Sequence, residues 1–108
     1  MKKAKLKTFI NETEKLLLNN DFKKILDMRD YYSYAWSKET KYGPLLVRPD
    51  NDFPTKVYSI FCRFENVTKA INILRMFARN PYSGKCNFHT FEYDDIIFQF
   101  EHFLTAIK

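Results

Sequence analysis

The nine residues KVYSIFCRF, positions 56–64, leave this chain few ways to fold. In an extended backbone Tyr58, Ile60, Cys62 and Phe64 fall on one face and Val57, Ser59, Phe61 and Arg63 on the other. The run is rich in β-formers and predicts a strand with one apolar face that the rest of the chain must cover. Two amphipathic stretches downstream are suited to that task. Asn66 can cap a helix in which Val67, Ala70, Ile71, Leu74, Phe77 and Ala78 recur at helical spacing. Asn80 and Pro81 stop it, because proline disfavours a helical residue before it and has no N–H to donate. After a Ser-Gly turn, the extended KCNFHTFEY leads into Asp94 and Asp95, acids that favour a helix start. Ile96, Ile97, Phe100, Phe103, Leu104 and Ile107 then give a second apolar stripe. The C-terminal half thus predicts β-α-β-α. Two strands joined through a helix imply parallel neighbours, or strands separated by one other, with a right-handed crossover.

In the N-terminal half, Leu6, Phe9, Ile10, Thr13, Leu16 and Leu17 form a helical stripe. Asn20 or Asp21 can cap a second helix, continued by Phe22, Ile25, Leu26, Met28 and Arg29, so residues 4–31 predict two helices or one kinked helix. Tyr32, Tyr34 and Trp36 alternate with Tyr31, Ser33 and Ala35, which suits a strand. Turn chemistry at Gly43 and Pro44, and at Asp50, Asn51 and Asp52, leaves residues 45–48 at most a short edge strand. The expected architecture is α+β: a small two-layer single domain over residues 1–108 with N-terminal helices, then a sheet of about three or four strands ending in the β-α-β-α unit.

Apolar residues at 45% and aromatics at 18%, with eleven Phe and seven Tyr, supply a packed core and argue against disorder. The net charge is +5, but Lys2, Lys3, Lys5 and Lys7 crowd the start, and without them 14 basic side chains face 13 acidic ones. Two cysteines are too few for a secreted disulfide framework. The start lacks the apolar core of a signal peptide, and no run approaches a membrane span, so a cytoplasmic location is expected. The sequence reads as a whole small protein beginning at its own initiator methionine. Its preference for Lys, Asn, Ile, Phe and Tyr suits an AT-rich coding sequence.

Several residues invite a catalytic reading. Cys86 and His89, with Cys62 and His102, could offer four zinc ligands, and Cys86, His89 and Glu92 could form a nucleophilic set. Strand alternation sends Cys86 and His89 to opposite faces and breaks both locally. Ser83, Gly84 and Lys85 resemble the tail of a phosphate loop, but they follow a helix and open a strand, the reverse of that motif. Asp50, Asp52, Asp94 and Asp95 have ordinary roles in a loop and a helix start. No metal and no cofactor is therefore expected.

A surface is the stronger expectation. Arg75 and Arg79 share the polar side of one helix with Thr68 and Asn72, and lead into Tyr82, Lys85, Asn87 and His89. Arginine and lysine neutralise phosphates, and tyrosine and arginine also anchor protein interfaces. Tyr31, Tyr32, Tyr34 and Trp36, with Lys38, Lys41 and Tyr42 after them, form a second basic-aromatic candidate. The expected function is that of a small non-enzymatic binding protein whose partner is a larger protein or nucleoprotein complex. A phage or mobile-element accessory protein that inhibits a bacterial defence complex fits that description. The alternatives are direct nucleic-acid binding, and a small ribonuclease toxin using His89 or His102 with Tyr93 or Lys85.

Overall fold

Every strand pairing among the described residues joins strands that are consecutive in the chain. The structure, a computed structural model, describes residues 3–27, 33–52 and 57–108. Its elements in order are α1 (Lys3–Asn19), β1 (Lys23–Asp27), β2 (Ser33–Thr40), β3 (Gly43–Asp52), β4 (Val57–Phe64), α2 (Val67–Phe77), a short 3-10 turn (Pro81–Ser83), β5 (Lys85–Thr90) and α3 (Tyr93–Ala106). The five strands form one antiparallel sheet in the order β1-β2-β3-β4-β5. The class is α+β, as the sequence implies, with five strands where fewer were expected.

The alternation in β4 holds. Tyr58, Ile60, Cys62 and Phe64 are buried while Val57, Ser59, Phe61 and Arg63 are half-buried on the other side. Opposite the buried set stand Leu45 and Val47 of β3 and Cys86 and Phe88 of β5. Phe9 and Leu17 from α1, Ala70, Ile73 and Leu74 from α2, and Ile96, Phe100, Phe103 and Leu104 from α3 complete one core with them. Among the described residues the helices therefore cover one face of the sheet and leave the other without a helical layer. Among the described residues no helix is long and apolar enough to cross a membrane.

Three expectations change. The second N-terminal helix is instead β1. Asn20 and Asp21 do not open a helix but close α1: Asp21 adopts φ +67°, the Phe22 N–H donates to the Leu17 carbonyl at 3.0 Å, and the Asn20 amide donates to Leu16 O at 2.7 Å. The chain then turns to pair Lys23 to Asp27 with Ser37 to Ser33. Met28 and Arg29, which that helix included, lie outside the described residues, as do Tyr31 and Tyr32 of the expected aromatic strand.

Residues 45–48, expected as a short edge strand at most, belong to the ten-residue β3, which lies between β2 and β4. Its prolines are tolerated because of where they fall. Pro49 lies beyond the last β2–β3 pair, Trp36 with Val47, and Pro44 lies beyond Leu45 with Phe64 at the end of the β3–β4 ladder. Neither removes a donor from the middle of a ladder.

Finally, β4 and β5 are antiparallel neighbours, without the crossover that a helical connection suggested. After α2 the chain comes back through residues 78–84 to the end of the sheet it left. There the Phe64 N–H donates to the Gly84 carbonyl at 2.8 Å. Gly84, at φ +77°, closes this return. The helix is thus an excursion inside a hairpin.

Candidate functional site

Beside β5, a recess of about 450 Å³ is lined by Phe77, Arg79, Asn80, Ser83, Lys85, Asn87 and His89. Four of the residues expected to form a contact surface meet here. The period of β5 explains three of them: Cys86 and Phe88 point into the core, and Lys85, Asn87 and His89 are exposed on the face without helices. Phe77 is the last residue of α2, which Asn66 begins by accepting the Lys69 N–H at 3.0 Å, and Arg79, expected on the same helix as Arg75, instead follows the extended C-cap Ala78.

The rim is held by local hydrogen bonds. Asn80 Oδ1 accepts the Tyr82 N–H at 3.1 Å, the Ser83 hydroxyl donates to Asn80 O at 2.8 Å, and the Lys85 N–H donates to Ser83 Oγ at 3.2 Å. The floor is packed as firmly, because the Phe77 ring meets Phe88 at 6.2 Å and Phe103 at 5.2 Å between centroids. Among the described residues no carboxylate lines the recess, and neither Arg79 nor Lys85 has an ion-pair partner. Arg75 and Tyr82 remain outside it. Arg75 is exposed on the last turn of α2, and Tyr82 is 72% exposed on the 3-10 turn.

The surface continues across the sheet through residues that inspection of local motifs missed. Arg63 of β4 pairs with Lys85, and its half-buried side chain leaves Nε without a hydrogen-bond partner among the described residues. Arg48 of β3 stands opposite Phe61, with its guanidinium 5.9 Å from the ring centroid. The alternation in KVYSIFCRF places Phe61 and Arg63 on this face. Only the strand order shows that Arg48 and Lys85 join them.

The second candidate surface is engaged within the chain. Trp36, expected as a contact residue, is 6% exposed and belongs to the core, because it faces Val47 beneath the helical layer. Tyr34 is 59% exposed, and Lys24 Nζ lies 5.3 Å from its ring and 5.8 Å from that of Trp36. The same ammonium is 3.5 Å from Glu14 of α1. Lys38 sits over Phe22 and Lys41 over Tyr42.

The cysteine chemistry meets a physical barrier. Cys62 and Cys86 are cross-strand partners, both free and both buried. Burial pushes the Cys86 thiol up to about 12 and raises that of Cys62 well above its ordinary value, with the Cys86 charge adding to the latter. A thiol at 12 is ionised in roughly one molecule in 10⁵ at neutral pH, so Cys86 is no nucleophile in the native state. Native protein at pH 8 is expected to resist iodoacetamide for hours, while denaturant exposes both thiols within minutes; mass spectrometry reads the adducts. Rapid native labelling of Cys86 would refute its burial. These thiols favour folding fully below the unfolded value near 9, and their contribution declines as pH rises from there toward 12.

Of the residues weighed for a ribonuclease, His89 and Lys85 share the recess, and Tyr93 and His102 lie elsewhere. His89 is on the helix-free face, whereas Tyr93 packs among Phe9 and Tyr58 on the covered one. His102 lies on α3 against Phe77, with 5.6 Å between ring centroids. Among the described residues no group of three or more His, Cys, Asp or Glu side chains is placed to hold a metal ion. Comparison of the chain with protein-family models, curated proteins and solved structures finds no match.

Proposed function

We propose that this chain is a small, cytoplasmic, non-enzymatic binding protein that occupies a surface on a larger protein or nucleoprotein complex. The observation that carries this reading is the convergence of Arg79, Lys85, Asn87 and His89 around one preformed recess whose lining, among the described residues, holds no carboxylate. Preorganised, uncompensated cations beside an aromatic floor suit recognition of an acidic partner, because little ordering cost remains to be met on binding. An inhibitor carried by a phage or mobile element against a bacterial defence complex is a setting that the preference for Lys, Asn, Ile, Phe and Tyr suits.

Charge reversal tests the reading. The double variant Arg79→Glu, Lys85→Glu is expected to keep its circular dichroism spectrum and to weaken binding of the partner, identified by pull-down from the native host, by at least about tenfold. Unchanged affinity in the folded variant would remove this surface from the account.

Direct nucleic-acid binding is the second reading, favoured by Arg48, Phe61 and Arg63 on the same face as Lys85. It requires affinity that falls steeply with salt, through release of counterions from phosphates.

A further inference from the structure

The edge of β5 offers something that its side chains do not. In an antiparallel ladder, opposed residues alternate between pairs that exchange hydrogen bonds and pairs whose N–H and C=O groups turn away. The bond from the Phe64 N–H to Gly84 O sets the phase. Cys62 with Cys86, Ile60 with Phe88, and Tyr58 with Thr90 are then the bonded pairs, and Lys85, Asn87 and His89 turn their backbone groups outward. Ser83 Oγ takes the Lys85 N–H. Asn87 and His89 have no backbone partner on that side among the described residues.

The geometry points to β5 as an acceptor strand: it takes an extended acidic segment of the partner protein as a sixth strand of the sheet. This rests on the binding reading above and specifies its mode. Exposed edges are templates for pairing, and this one coincides with the recess. An added strand would set alternate side chains beside Lys85, Asn87 and His89, and the others toward Phe77. Lys85 and His89, with no carboxylate beside them among the described lining residues, select acids for the first set.

A second copy of the chain fits poorly. Antiparallel pairing of two β5 edges about Asn87 would put Lys85 of one copy opposite His89 of the other, with no acid between them. The opposite edge, β1, is less selective, because the recess there mixes Asp21 and Glu39 with Lys23 and Lys38.

The test uses the full ¹⁵N-labelled chain and a blocked peptide, Glu-Val-Thr-Val-Glu, whose acids would face Lys85 and His89. Amide shifts are expected at Asn87, His89 and their neighbours, with hydrogen exchange there slowed about tenfold. Methylating the threonine nitrogen of the probe, which deletes its donor to the Asn87 carbonyl, is expected to weaken binding about tenfold, and a Lys-for-Glu probe should not bind. Asn87→Pro removes an outward N–H at an edge, where proline is tolerated, and should weaken the peptide similarly. If that variant does not fold, the methylated probe on the unaltered chain decides.

Absent or scattered shifts, or equal binding of the methylated probe, overturn the proposal. So does a single-stranded oligothymidylate that shifts Asn87 and His89 when the peptide does not. Partner binding lost on reversal of Arg79 and Lys85 but retained in folded Asn87→Pro leaves the binding reading standing and removes strand addition. Binding unaffected by either variant removes both.

Discussion

Replacing Phe103 with alanine is expected to lower the unfolding free energy by about 3–5 kcal/mol, the range for deleting a fully buried ring. Phe103 is a hub: its centroid lies 5.2 Å from Phe77, 5.2 Å from Phe88, 6.2 Å from Phe64 and 6.3 Å from Phe100. Four rings from α2, α3, β4 and β5 lose a neighbour at once, and they cannot all move inward to fill the void. For a domain of ordinary stability, about 5–15 kcal/mol, that is a large fraction. Urea titration followed by tryptophan fluorescence measures it, with Phe98→Ala as control. Phe98 is 73% exposed on the same helix, and its loss should stay within about 0.5 kcal/mol. Equal losses at the two positions would contradict the packing of α3. Since Phe77 floors the recess, Phe103→Ala should also weaken the binding tested above.

The second large effect is at Gly84. Alanine there must hold φ near +77°, which costs a residue with a Cβ about 1–2 kcal/mol. Its Cβ would also stand 3.0 Å from Val67 Cγ2 and 3.1 Å from the Phe64 carbonyl oxygen, a backbone atom at the point where β5 rejoins the sheet. A total above about 2 kcal/mol is expected. Gly43 separates the two causes. It has φ +91°, but its nearest neighbours, Asn66 Cβ at 3.6 Å and Lys69 Cδ at 3.7 Å, leave ordinary room. Gly43→Ala should therefore show the backbone cost alone. Paired urea midpoints measure the difference, and a Gly84→Ala loss no greater than that of Gly43→Ala would disprove the steric contribution.

What the sequence made legible was local and periodic. Alternation in β4 and β5 assigned both faces of each strand, including the separation of Cys86 from His89. The stripes of α2 and α3 gave most of their buried residues, and Asn66 caps α2 as its type suggests. Errors arose where a distant partner decides. Phe22, Ile25 and Leu26 have spacing compatible with a helix, but pairing with β2 makes Ile25 and Leu26 part of a strand that begins just after Phe22. The prolines of β3 look like interruptions until the ladder ends are known.

The candidate site divides in the same way. Lys85, Asn87 and His89 follow from a period of two, and Arg79 from proximity in the chain. Phe77 joins them because the segment after α2 turns back toward β4, and Arg48 joins that face only through strand order. Trp36 was ambiguous because an aromatic on a strand serves equally as core or contact. The helical layer above β2 resolves it as core.

The consecutive strand order also bears on how the chain reaches its native state. Among the described residues each pairing joins strands consecutive in the chain, so the sheet can zip from one strand to the next without a crossover, a more local order than a crossover sheet allows. The excursion through α2 is the longest loop between paired neighbours within the described residues. Loop entropy grows only logarithmically, so closing it costs roughly 2 kcal/mol more than a two-residue turn. The apolar side of α2, buried as β5 docks, offsets that cost, which makes arrival of the last strand and of the recess beside it a single cooperative step.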